Sequence, residues 1–195
     1  MPLSGTLGAA EIGMAVMLVV GCNDIDPERD DRPPRPGDPL GAFLHGLLTM
    51  DDLFAAGGLR VTDTASGTVL LPGCCAGLED WRGWLSLVDD DSRGSPPYLG
   101  HDPDPLAERV GDTVRLTVDA ERDDSPVIEL DVTDLRHLLT GVERDLYGFL
   151  SSATTWATRH LPRHHASPVV AALARAVDLP GPQSCGERAP RSQVP

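Results

Sequence analysis

With 195 residues, 41% of them hydrophobic, the chain can bury one proper core, and its 18 Pro and 20 Gly predict long loops around it. Thirty Asp and Glu against 16 Lys and Arg give a formal charge of −14, which argues against nucleic acid as a partner because a binder must neutralise phosphates. All the basic residues are Arg, a compositional habit of GC-rich genomes, and the acidity suits either plain solubility or a basic protein partner.

Residues 1–10 read as a flexible tail, 11–179 as a single domain and 180–195 as a disordered tail. Met14 to Val20 is continuously apolar and reads as a β-strand covered on both faces. It ends in Val19-Val20-Gly21-Cys22, which resembles a lipoprotein cleavage box. No Arg or Lys precedes Cys22, however, and Glu11 stands just before the run, so the strand is preferred. The run is also too short to span a bilayer, and no membrane association is expected.

A charged, Pro-rich loop follows to Pro39. Leu40, Phe43, Leu44, Leu47 and Leu48 then mark a helix to about Ala56, with a break allowed at Thr49–Phe54. Residues 59–63 and 68–71 flank Thr64-Ala65-Ser66-Gly67 as a hairpin. Leu78, Trp81, Trp84, Leu85 and Val88 have helical spacing, which places Trp84 at the helix edge. Leu106 to Val110 reads as one helical turn. Val114, Leu116 and Val118 alternate with polar residues as a half-buried strand, and Val127 to Leu130 returns as its partner.

Asp134 to His160 is the clearest element: apolar residues from Leu135 to Ala157 keep helical spacing for about seven turns. Pro162 stops it, and Val169 to Val177 forms a smaller helix. Strands and helices mostly do not alternate. The fold expected is therefore an α+β two-layer sandwich, a mainly antiparallel sheet of about five strands with the long helix across one face.

Four cysteines make no disulfide framework in a chain this size, so a reducing cytoplasm is the expected setting. Cys74 and Cys75 together with His101 and Asp102 contain the residue types of a nucleophile, base and orienter, or of a zinc site, if the two segments meet. The common nucleotide, dinucleotide, zinc-protease and serine-hydrolase motifs are absent from the sequence, and no cofactor or metal is expected. Asp89-Asp90-Asp91 lacks the alternating acids and closing Glu of a calcium loop and reads as a solvated acidic loop. Asn23, Asp24 and Asp26 form a weak cation set. His160, His164 and His165 read as partners of a helix C-terminus. Trp81, Trp84 and Tyr98 beside Asp89, Asp90 and Asp91 would make an aromatic and acidic face for a protein partner.

The stretches Leu71-Pro72-Gly73-Cys74-Cys75-Ala76-Gly77-Leu78-Glu79-Asp80-Trp81-Arg82-Gly83-Trp84, Gly100-His101-Asp102-Pro103-Asp104-Pro105 and Gly111 to Asp119 look like small acidic proteins of high-GC actinobacteria. That resemblance implies a free-standing bacterial domain and carries over no activity and no site residue. The resulting expectation is a non-enzymatic, cytoplasmic, acidic binding protein of immunity or accessory type. The alternative is a small cysteine- or metal-dependent enzyme using Cys75 (or Cys74), His101 and Asp102.

Overall fold

The computed structural model describes residues 1–25, 31–89 and 97–181. Its elements in chain order are α1 (Ala9–Cys22), α2 (Pro39–Thr49), β1 (Val61–Thr62), β2 (Val69–Leu70) and a 3-10 helix (Leu78–Leu87). Then come β3 (Leu106–Val110), β4 (Thr113–Thr117), β5 (Val127–Asp131), α3 (Val132–His160) and α4 (Arg163–Ala176). The class is α+β, but the strands form two small antiparallel sheets, β1-β2 and β3-β4-β5, in place of one five-stranded sheet.

The largest correction is at the start. Met14 to Val20 is not a strand but the body of α1. Its buried residues, Ile12, Ala15, Val16, Val19 and Val20, recur at i, i+3, i+4, i+7 and i+8. Met14, Met17 and Leu18 fill the outer face with more apolar side chains, so the helical period is masked and the run reads as continuous. The Glu11 carboxylate accepts the Gly8 N–H at 2.8 Å and satisfies one donor at the helix start. Ahead of it, Leu3 and Leu7 pack against the helical core.

α2 is capped by Asp38, whose carboxylate accepts the Gly41 N–H at 2.7 Å, with Pro39 in the first turn. It ends at Thr49, short of the expected Ala56, where Met50 turns extended. Leu106 to Val110 is a strand and not a helical turn. It runs antiparallel to β4 through the two-residue loop Gly111-Asp112, and Gly111 takes φ +66°, open to glycine at no steric cost. β4 pairs in turn with β5, which leads straight into α3.

α3 joins two apolar clusters. Leu135 and Leu139 in its first turns pack with Val114, Leu116 and Ile128 of the three-stranded sheet. Leu146, Phe149, Leu150 and Ala153 pack with α1, α2 and α4. The long helix therefore crosses the sheet only with its first half and spends the second in a helical bundle. The 3-10 helix bridges the same clusters: Trp81 is 3% exposed in the helical one and Trp84 2% exposed in the sheet one. Of the expected tail 180–195, all but the first two residues lie outside the described residues. Among the described residues, no helix is long and apolar enough to cross a membrane.

Candidate functional site

The stretch leaving β2 and the loop before β3 are held side by side by backbone hydrogen bonds. Gly73 N–H donates to Leu99 O at 2.7 Å, Cys74 N–H to His101 O at 2.5 Å, and His101 N–H to Cys74 O at 3.0 Å. Two glycines make this approach geometrically accessible. A Cβ on Gly73 would lie 2.4 Å from Pro103 O, and one on Gly100 would lie 2.6 Å from Cys74 O. Gly100 also has φ +89°, where an L side chain is strained.

This pairing sets Cys74 opposite His101. Cys75 then takes φ +62°, and the two sulfurs come to 3.5 Å from each other. A ligand atom from each of Cys74, Cys75 and His101 lies within 4.8 Å of the others. At the same imidazole, His101 Nδ1 meets Asp102 Oδ2 at 3.1 Å. The segments expected to supply a Cys–His–Asp set thus do meet.

The site is open. Both cysteines are exposed, and the His101 and Asp102 side chains are 52% and 82% exposed. The Cys75 thiol is held above the ordinary thiol range, first by its hydrogen bond with Cys74, then by the charge Cys74 carries when ionised, with slight burial third. A nucleophilic cysteine needs the opposite, a thiolate stabilised near neutral pH by a cation or a helix N-terminus. As a thiol pair, Cys74 and Cys75 repel the second negative charge; a bound metal ion would supply the positive charge that both thiolates lack.

The expected aromatic and acidic face is taken apart. Trp81 is buried, donates Nε1–H to Val177 O at 2.9 Å and carries the Arg82 guanidinium over its ring. Trp84, expected at the edge, is buried against the sheet. Neither indole offers contact area to a partner. Tyr98 is exposed. Asp89 is ion-paired to Arg136 at 3.0 Å, and a second nitrogen of that guanidinium bonds Val88 O. Asp90 and Asp91 lie outside the described residues.

Of the other candidates, Asn23 is a buried clamp and not a cation ligand. Its amide donates to Val19 O and Phe54 O and accepts the Phe54 N–H, tying the end of α1 to the loop after α2. Asp24 pairs with Arg35 at 2.7 Å, and Asp26 lies outside the described residues. The His164 and His165 rings are 4.1 Å apart, whereas His160 leans on Trp156. Cys22 is half-buried at the end of α1.

Gly73 and Gly100, which permit the close approach of the two loops, carry no motif of their own in the sequence. The two Cβ-free positions facing each other could be recognised only once the loops were paired. Compared with protein-family models, with curated proteins and with solved structures, the chain matches none.

Proposed function

We propose that the protein binds a single thiophilic metal ion of the Zn2+ class through Cys74, Cys75 and His101, as a non-enzymatic, accessory-type protein of the reducing cytoplasm. The observation that carries this is the gathering of two sulfurs and an imidazole nitrogen within 4.8 Å. Around a tetrahedral zinc with bonds of about 2.3 Å, two thiolates stand roughly 3.8 Å apart; here they are 3.5 Å apart before any ion arrives. With Nδ1 engaged by Asp102, Nε2 is the His101 nitrogen left for the ion, and the carboxylate would then fix the tautomer of the ring.

Three protein ligands leave a fourth position for water or for a group on a partner. The exposure of His101 and Asp102 favours handling of the ion at the surface over catalysis on an enclosed substrate. The formal charge of −14 raises the local concentration of cations around the molecule. A basic partner would meet the same field.

The test is titration of the reduced, metal-free protein with Zn2+ and with Co2+, followed by calorimetry and by thiolate-to-cobalt absorption. One ion per chain is expected, with Cys74→Ser, Cys75→Ser and His101→Ala each weakening it at least tenfold. Thermal unfolding of the metal-free variants should match the parent, since the side chains are exposed. Absence of saturable binding, or variants that bind as the parent does, would sink the proposal.

A further inference from the structure

An apolar groove lies on the helical side of the molecule, lined by none of the residues of the Cys74–Cys75–His101 cluster. The outer face of α1 and the last turns of α3 enclose an open groove of about 630 Å³, within the roughly 300–1,000 Å³ of small-molecule sites. Gly13, Met14, Met17 and Leu18 form one wall, and Trp156 and His160 the other. Met14, Met17 and Leu18 are 58%, 62% and 59% exposed. Gly13 lacks a side chain where a Cβ would stand 3.4 Å from the Trp156 ring, which leaves the indole open to the groove.

Acidic residues are scarce along the helices that line this groove. Residues 146–177 contain no Asp or Glu, although the whole chain has 30. They contain Arg159, His160, Arg163 and His164, exposed where α3 turns into α4. Residues 1–22 contribute only Glu11. One end of an apolar groove is thus basic.

We propose that the groove takes a single-chain anionic amphiphile: an acyl chain laid between α1 and Trp156, its carboxylate at the Arg159–His160 end. Flexible methionines suit a chain without fixed shape. The size of the ligand follows from the electrostatics. A small anion senses chiefly the charges within a Debye length of about 8 Å in physiological salt, and on the groove's own helix those at its end are Arg159 and His160. An anionic membrane plane or a second copy of the chain meets the whole field of −14, which repels both.

Decanoate below its micellar concentration, titrated into the full chain, tests this by calorimetry and tryptophan fluorescence. Trp156 is the reporter, because Trp81 and Trp84 are buried elsewhere. Saturable 1:1 binding is expected, weakened at least tenfold by Met17→Glu. The double variant Arg159→Glu/His160→Glu should weaken decanoate tenfold while leaving decanol unchanged. All three changes fall on exposed side chains, and matched melting curves check that the variants are folded. No saturable binding, or equal binding by the Met17→Glu variant, overturns the proposal. So does capture by anionic vesicles without binding of monomeric decanoate, or a dimer in sedimentation that Met17→Glu dissociates while decanoate stays unbound.

Discussion

At the scale of single residues, the Cys74–Cys75–His101 cluster depends on atoms that are missing as much as on those present. Gly100→Ala puts a methyl group 2.6 Å from Cys74 O at a φ of +89°, so the loops must part and His101 must leave the sulfurs. The expected outcome is at least a tenfold loss of zinc affinity, with the α-helical circular dichroism kept; retained affinity would show that the backbone pairing does not position the ligands.

Two carboxyl groups act on stability in opposite directions. Burial raises Glu79, and the Ala55 N–H, 2.9 Å from its carboxylate, only partly offsets this. A raised carboxyl binds its proton more tightly in the fold than in the unfolded chain. Its stabilising contribution is therefore full below the unfolded pKa and lost as pH rises through the raised one. Asp63 is lowered, first by the Ser66 hydroxyl and then by the Ala65 N–H, so its contribution is present above the unfolded pKa and lost as pH falls. Glu79→Gln keeps an acceptor for Ala55 and removes the titration. Its melting temperature should gain on the parent as pH rises from acid to neutral, and a gap between the two that stays constant with pH would count against this.

At the scale of elements, legibility in the sequence followed contrast between faces. α3 shows its helix plainly because exposed polar residues such as His137, Arg144 and Thr155 stand opposite Leu135, Leu139 and Phe149. α1 hides the same period, since Met14, Met17 and Leu18 are apolar on the outside as well. β4 was readable from its alternation. β3 was not, because Leu106 is exposed and only Ala107 turns fully inward, leaving Gly111-Asp112 as the sole hairpin signal. The residue types at Cys74, Cys75, His101 and Asp102 were visible too. Their meeting was not, because it rests on a pairing between loops 27 residues apart in the chain (101 − 74). Burial of both Trp81 and Trp84 follows from the 3-10 helix: side chains at i and i+3 lie on one face, and that face runs from the helical cluster, which covers Trp81, to the sheet cluster, which covers Trp84.

At the scale of the whole molecule, α3 makes one cooperative unit of two apolar clusters. Leu139 anchors the sheet side and Phe149 the helical side, less than three turns apart on the same helix. Leu139→Ala is expected to cost about 2–5 kcal/mol and Phe149→Ala about 3–5 kcal/mol. Both should shift one shared urea transition, read alike by tryptophan fluorescence and by helical circular dichroism. Separate transitions in either variant would mean that the clusters unfold independently.

The helical cluster has a further consequence during synthesis. The described residues of the sheet cluster run from Leu59 to Leu139, close enough in the chain to assemble while α4 is still being made. The helical cluster instead runs from Leu3 to Leu179, and Trp81 finds its acceptor only at Val177. α1 therefore leaves the ribosome early and is covered late, with apolar side chains on both faces in the interval. A nascent chain of this kind is a natural client for factors that shield apolar segments at the tunnel exit.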